Sequence, residues 1–471
     1  MYNQRTKTKI VATLGPKSRD ISVITKMLKS GLSVARVNMS HGDHTEHADA
    51  IKTTREASVK TKLPVAILQD LAGPKIRIGD FSTETVTLVS GKKLILTTTK
   101  CEGTVEKVSI NYKKLPQEVA AGMTIFLNDG KQELLVEKIT GDEIHTKVIS
   151  GGTIRGRRGV NVPDGNLSIS SLTPKDKKDL KFGIEQNVDF MTLSFVRTAA
   201  DIRQLRKLIG DSNIAIVAKI ETKSAIENLE EIIEATDVIM VARGDLAIEM
   251  PLETVPLLQK KIISLANKAG KPVITATQML DSMRTSVTPT RAEVNDIANA
   301  IIDGTDAIML SDETTIGDHP AHVVATMSKI ANEVESDQYF ADKQANWNFT
   351  ASTIGEGVSR SVARNVAVAD AKVIVALSET GTTGRMVARY RPQVPIMVLT
   401  PHQSTFNKML VVFGCEPVLV KNATGLTTAR KIAHSVIKQK RVLKSGDHYI
   451  LAAGFPFGSA GSTNLMLVEE Y

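Results

Sequence analysis

Residues 237–250 read DVIMVARGDLAIEM. The first half, Val238 to Ala242, is apolar and fits a buried strand. The second half breaks into Arg243-Gly244-Asp245. A glycine between two opposite charges fits a surface loop, a metal site or a phosphate site. The neighbouring segments narrow the choice, because the same design recurs. The run Ile214–Glu221 (IAIVAKIE) ends on Lys219 and Glu221, and Pro272–Gln278 (PVITATQ) ends on Thr275, Thr277 and Gln278. Asp306–Glu313 (DAIMLSDE) ends on Ser311, Asp312 and Glu313, and Asp189–Arg197 (DFMTLSFVR) on Ser194 and Arg197. Toward the N-terminus, Ser33–His41 (SVARVNMSH) delivers Arg36, Asn38, Ser40 and His41, and Val65–Asp70 (VAILQD) delivers Asp70.

Each of these runs alternates with a segment of helical period. The helices are expected over Ile21–Ser30, closed by Gly31, then Thr45–Ala57, Ser224–Ala235, Val255–Ala269, Arg291–Ile302 and Ala321–Val334. A further helix opens at Pro174 with Thr173 as its N-cap. With Lys9–Thr13 (KIVAT), three strands precede residue 73 and five follow residue 165, and eight such units close a (β/α)8 TIM barrel. An open doubly wound sheet is the rival arrangement, but its first βα turn normally carries a glycine fingerprint, and ATLGPKS is not one.

Between Gly73 and about Gly165 the helical period disappears, and strand-like pieces alternate with SGK, NDG and TGD turns. This reads as an inserted all-β domain. After about Asp342 a C-terminal α/β domain follows, with strands in AKVIVALSE, VPIMVLTP, EPVLV and HYILAAGF. The expected division is 1–73 with 166–340 for the barrel, 74–165 for the insert and 341–471 for the C-terminal domain.

Composition excludes several classes. The 471 residues are 42% apolar and 23% charged, with no run long enough to span a bilayer and no signal-peptide core at the N-terminus. A cytoplasmic protein is expected. Net charge is +8, and aromatics make up only 4%, so nucleic-acid binding is disfavoured while anionic small molecules are not. Cys101 and Cys415 fit no metal or redox spacing and read as free thiols.

Barrel enzymes place their chemistry at the C-terminal ends of the strands. Polar residues gather wherever strands meet solvent, which explains any one of these ends but not seven together. Glu221 and Asp245 come from adjacent strands and could share a hard divalent cation such as Mg2+. A glycosidase-like acid/base pair is the rival use. Lys219 argues against it, because it lies two residues before Glu221 and so shares its face of the strand. Arg36 adds a second positive group. Lysine, arginine and metal around one cavity suit phosphoryl transfer or an enolate. Gly244 would let backbone approach a ligand, and a short helix starting in DLAIE would aim free N–H groups at a carboxylate or phosphate.

The segments ARVNMSHG (Ala35–Gly42), GPKIR (Gly73–Arg77), AKIE (Ala218–Glu221), IMVARGDL (Ile239–Leu246), ITATQMLDSM (Ile274–Met283) and PTRAEVNDIANAIIDGTDAIMLS (Pro289–Ser311) together resemble pyruvate kinase. Their order and spacing fit over essentially the whole chain. The resemblance implies a barrel with a lid inserted after the third strand and a C-terminal regulatory domain. It implies a glycolytic phosphotransferase moving phosphoryl from phosphoenolpyruvate to ADP, giving pyruvate and ATP. Mg2+ (or Mn2+) falls on Glu221 and Asp245, and the charge-stabilising lysine on Lys219. Phosphoenolpyruvate falls on Arg36, Lys219, Gly244, Asp245 and Thr277, and the nucleotide on Asn38, His41, Arg77 and Arg158. Thr277 delivers the proton, with Ser311 and Glu313 as relay residues. A homotetramer is implied as well.

The chain departs from the family pattern in places. The monovalent-cation site of potassium-dependent members falls on Asn38, Ser40, Asp70 and the carbonyl of Leu71, but their usual Glu is Lys75 here. An ammonium in place of the ion implies that K+ is not required. Ala247 and Asp312 stand where glycine is usual, and Arg158 where lysine is. The loop Ser378–Arg385 (SETGTTGR) resembles the effector loop of regulated members, with Ser378, Thr380, Thr382, Thr383 and Arg385 facing a sugar phosphate or nucleotide. An ordinary βα turn is the plainer reading of the same loop. A pyruvate-enolate aldolase or lyase would use the same carboxylates without needing a lid, Arg77 or Arg158. A catalytically inert metabolite sensor would not need the set Lys219, Glu221, Asp245 and Thr277.

Overall fold

The computed structural model describes residues 6–165, 167–345, 347, 349–457 and 463–471. Eight parallel strands close into a barrel: β1 (Lys9–Thr13), β2 (Leu32–Asn38), β3 (Ala66–Asp70), β4 (Phe190–Leu193), β5 (Ala215–Ile220), β6 (Val238–Ala242), β7 (Val273–Ala276) and β8 (Ala307–Leu310). Each pairs with its neighbours in sequence, and β8 returns to β1 through Lys9↔Ala307 to Ala12↔Leu310. The open-sheet alternative is excluded by that closure. Parallel strands covered on both faces must be apolar throughout, which is why these segments read as unbroken hydrophobic runs. Val11, Val34, Leu68, Phe190, Val217, Met240, Ile274 and Met309 fill the interior, while the alternate residues pack under the helices.

The helices follow the sequence pattern with two differences. The second is longer than expected, His44–Thr61, because Asp43 caps it by accepting from the Glu46 amide. The segment over 224–235 is two helices, Lys223–Glu227 and Leu229–Ala235. They break at Asn228, whose side-chain amide donates to the carbonyls of Arg197 and Ser224.

The insert leaves the barrel after β3. It forms a six-stranded and a two-stranded sheet, with one short helix, Leu115–Glu118, absent from the sequence reading. It has its own apolar core, from Ile76 and Ile78 to Val160 and Val162. Its return segment is tied to the barrel by Arg197, which donates to the carbonyls of Leu167 and Ile169. Lys223 meets Asp164 at 2.8 Å, and Asn161 donates to Glu249 at 3.1 Å.

The C-terminal sheet has five strands in the order Cys415–Leu419, Ile396–Thr400, Ala371–Leu377, His448–Ala453, Leu465–Glu470. The last is antiparallel and was not expected from sequence. This domain seals the floor of the barrel: Met409 to Val412 join the same buried cluster as the barrel interior. Cys101 and Cys415 are free, and burial pushes the Cys415 thiol up to about 12. Among the described residues no helix is long and apolar enough to cross a membrane.

Candidate active site

The C-terminal ends of the strands converge on a cavity of about 120 Å3, lined among others by Arg36, Asp70, Lys75, Lys219, Asp245, Thr277 and Ser311. Asp245 also lines a second cavity, about 100 Å3, between the barrel and the insert. The rim that carries the polar strand ends is therefore the rim the insert covers.

Lys219 is the electrostatic centre. Its ammonium stands 2.9 Å from Glu221 Oε2 and 3.1 Å from Ser194 Oγ. Burial works against its charge, but the carboxylates of Glu221, Asp70 and Asp245 outweigh burial and hold the ammonium protonated well above the usual lysine range. Glu221 is completely buried, and burial pushes its carboxyl up to about 7; Lys219 opposes this and Asp245 adds to it. Its Oε1 accepts from the Phe195 amide at 2.7 Å. Phe195 has a φ of +55°, which turns that amide inward.

Arg36 on β2 donates through Nε to Asp70 Oδ2 at 2.8 Å and through Nη1 to Thr13 Oγ1 at 2.7 Å. Burial raises the pKa of Asp70, but Arg36 and Lys219, with Lys75 further off, bring it below its ordinary value. The Leu71 carbonyl already accepts the Ser194 hydroxyl at 2.8 Å. Asn38 and Ser40 line the cavity, and the Ser40 amide caps the Asn38 side chain at 3.1 Å.

At the head of β7 the backbone is strained. Thr277 has a φ of +72° and Gln278 of +53°. For a β-branched residue this is an outlier that costs on the order of 1–3 kcal/mol and persists only where surroundings enforce it. The Thr277 hydroxyl donates to the Ala276 carbonyl at 2.6 Å and accepts from the Gly244 amide at 2.9 Å. That amide is therefore taken within the chain, contrary to the expectation of a free N–H. The helix begins at Arg243 itself and runs only to Glu249. A Cβ on Gly244 would meet Thr277 at an ordinary 3.7 Å, so protein packing alone does not demand glycine there.

A divalent ion fits the donor set. Glu221 Oε2 is buried and, apart from the ion pair with Lys219, has no hydrogen-bond partner. The Asp245 carboxylate accepts no hydrogen bond from any described residue and raises both Glu221 and Lys219 electrostatically. Among the described residues no group of three or more His, Cys, Asp or Glu side chains assembles, so this pair would leave most of a coordination shell to water and substrate oxygens. That is the habit of Mg2+.

Other sequence-chosen residues lie further out. His41, Arg77 and Arg158 are exposed and do not line the cavity. Arg77 Nη1 donates to the Arg157 carbonyl within the insert. Ser311 lines the cavity, but Glu313 stands behind it, its two oxygens taken by the amides of Leu280 (3.1 Å) and Ser311 (2.7 Å). Glu313 thus braces the turn rather than facing a substrate as a relay. In the C-terminal domain Ser378, Thr380, Thr382 and Thr383 line a cavity of about 40 Å3 whose lysine is Lys421, missed by the sequence reading. Arg385 does not line it. It donates to Thr382 Oγ1 at 3.3 Å and feels Asp237, at the foot of β6.

Comparison with known proteins agrees with this fold. Residues 5–324 match the family model described as pyruvate kinase, barrel domain, and residues 356–469 match pyruvate kinase, alpha/beta domain. Pyruvate kinase 2 of Synechocystis sp. is 43% identical over 469 residues, covering 98% of this chain and 79% of its own length. The pyruvate kinase of Geobacillus stearothermophilus is 41% identical, over 98% of this chain and 80% of its own. That of Clostridium acetobutylicum is 40% identical over 98% and 99%.

Proposed function

The chain belongs to the pyruvate kinase family, and from that premise we infer that it transfers the phosphoryl group of phosphoenolpyruvate to ADP, giving pyruvate and ATP. The observation that carries the reading is the buried Lys219 ammonium beside Glu221 and Ser194, opening on a cavity shared with Arg36, Asp245 and Thr277.

In this reading the enol oxygen–phosphorus bond breaks, a bond to the terminal phosphate oxygen of ADP forms, and the enolate takes a proton at its methylene carbon. Arg36 and Lys219 bind the phosphoryl oxygens, and Lys219 stabilises the charge that passes to the enolate oxygen. Glu221 and Asp245 would hold the divalent ion, Mg2+ or Mn2+; when bound it supplies positive charge to the same oxygens. Gly244 and Asp245 lie where the substrate carboxylate would dock, and Gly244 leaves room for it. The Thr277 hydroxyl, with Ser311 beside the cavity, serves proton delivery. Asn38, His41, Arg77 and Arg158 meet the nucleotide as the insert folds over it. Lys75 stands in for a monovalent ion among Asn38, Ser40, Asp70 and Leu71, a reading supported by its place in the lining of the same cavity and by the direction in which its charge moves Asp70.

Coarser elements of the same reading are a division at residues 73, 165 and 340, a homotetramer, a cytoplasmic location and a phosphorylated effector on the Ser378–Thr383 loop. A structure soaked with sugar phosphates that left the loop empty would remove the last.

The direct test is ATP formation from phosphoenolpyruvate and ADP with Mg2+, for the wild type and Lys219→Met. Wild-type activity falling by ~10³-fold or more in the variant is expected from the loss of a buried charge on the transferred group. No ATP from either protein returns the aldolase and sensor readings.

A further inference from the structure

Arg243 is the one member of the Arg243-Gly244-Asp245 triplet without a role in the scheme above. Its side chain crosses from the end of β6 to β7. Nε donates to the Ala276 carbonyl at 3.2 Å and Nη2 to the Thr277 carbonyl at 2.6 Å. Nη2 also lies 2.7 Å from Met279 Sδ. On its other side Nη1 is held by Asp296 Oδ1 at 2.7 Å and by Gln259 Oε1 at 3.3 Å. The planar fork is thus fixed between two helices and meets five acceptors at once, two of them consecutive carbonyls, whereas an ammonium has only three donors.

Those carbonyls flank the strained turn. Thr277 is seized twice by the first two residues of one short helix: its carbonyl by Arg243, its hydroxyl by the Gly244 amide. The Ala276 carbonyl is the acceptor for the Thr277 hydroxyl proton, and Arg243 Nε shares it. If the hydroxyl turns toward a substrate carbon, that carbonyl would lose its partner in a dry site, a cost that Arg243 removes.

We propose that Arg243 is a positioning residue for the proton-delivery step: it enforces the left-handed backbone at Thr277 and keeps the Ala276 carbonyl satisfied while the Thr277 hydroxyl turns to the enolate. The proposal rests on the pyruvate kinase reading and on Thr277 as the proton donor. It separates Arg243 from phosphoryl binding, because no donor of Arg243 is left over for an anion.

The experiment compares wild type, Arg243→Lys and Asp296→Asn in two assays with Mg2+: ATP formation, and exchange of the methyl protons of pyruvate with deuterium from solvent. Circular dichroism melts check folding. In Arg243→Lys the exchange rate and kcat are expected to fall ~10²-fold, the size of an ångström-scale misplacement, with the KM for phosphoenolpyruvate within ~3-fold. Asp296→Asn keeps Arg243 but frees its fork, and should lose exchange in the same direction by less. Wild-type exchange in a folded Arg243→Lys overturns the proposal. So does a rise in KM matching the fall in kcat, the signature of a collapsed pocket. If Arg243→Lys does not fold, Asp296→Asn decides: reduced exchange supports, unchanged exchange overturns. Neither ATP nor exchange from the wild type would remove the pyruvate kinase reading itself.

Discussion

Asp306, at the foot of β8, and Glu221, at the head of β5, are both buried carboxyls on the same barrel facing a buried cation. Asp306 accepts from the two terminal guanidinium nitrogens of Arg391 (2.9 and 3.0 Å) and from the amides of Phe413 (3.1 Å) and Val273 (3.0 Å). Arg391 in turn reaches Asn267 and the carbonyls of Gly304 and Ala388. Glu221 accepts one backbone amide and faces Lys219 across an ion pair, with a second carboxylate, Asp245, raising its pKa. At the foot the Asp306 carboxylate is saturated by four donors, although Arg391 Nε has no partner, and the pair locks the C-terminal domain to the barrel. The head is under-bonded, carries strain at Thr277, and opens on a cavity. Satisfied ion pairs hold structure, and incompletely satisfied ones wait for a ligand.

That contrast is broken most sharply at the foot. Removing one partner of a buried pair costs ~3–5 kcal/mol, because the other charge is stranded. Asp306→Asn should therefore lower the melting midpoint by several degrees and expose the barrel–C-terminal interface to proteolysis. Its kcat at 25 °C should stay within ~2-fold of wild type, since no atom of the pair reaches the cavity. A melt unchanged from wild type, or a lost kcat in folded protein, would mean the two ends are not separate in function.

The head was more legible in sequence than the foot, for a physical reason. A parallel strand covered on both faces must be apolar, so the first polar residue after it marks the rim. Thr277, Asp245 and Glu221 could all be found this way. Chain-end docking has no such period: Arg391, Asp306 and the floor formed by Met409–Val412 are set by contacts far apart in sequence. The edge strand Leu465–Glu470 is hard to see in the sequence because it is short and half-exposed, with no residue of it fully buried. Asp296 and Gln259, which hold Arg243, sit on helix faces where a polar residue looks like any solvated one. Arg385 was legible as a cation beside the effector loop, but the direction of its side chain was not.

A smaller effect sharpens the view of the head. Lys75 shares the cavity with Asn38, Ser40 and Asp70, and the Leu71 carbonyl is already bonded to Ser194. ATP formation at saturating Mg2+ should change less than ~2-fold on adding K+, while Lys75→Glu should become K+-dependent by ~10-fold, about 1.4 kcal/mol of charge stabilisation. Strong K+ activation of the wild type would show that a monovalent ion, and not the lysine, completes the site.

The smallest expected effect concerns a carboxyl belonging to neither end. Glu416 lies on Cys415–Leu419, the edge strand of the C-terminal sheet, and burial pushes it up to about 7 against the opposing charge of Lys440. A carboxyl raised in the folded state binds its proton more tightly there than in the unfolded chain. Its cost is absent below the unfolded value near 4.5, grows as pH rises toward 7, and is constant above that. Glu416→Gln removes the charge and should leave the melting midpoint unchanged at pH 4, and raise it at pH 8 by the equivalent of ~1–3 kcal/mol. Activity should not respond, because the strand lies across the floor from the cavity. A variant that melts lower than wild type at pH 8 would show that the Glu416 carboxylate is paired after all, and that this edge resembles the saturated foot of the barrel.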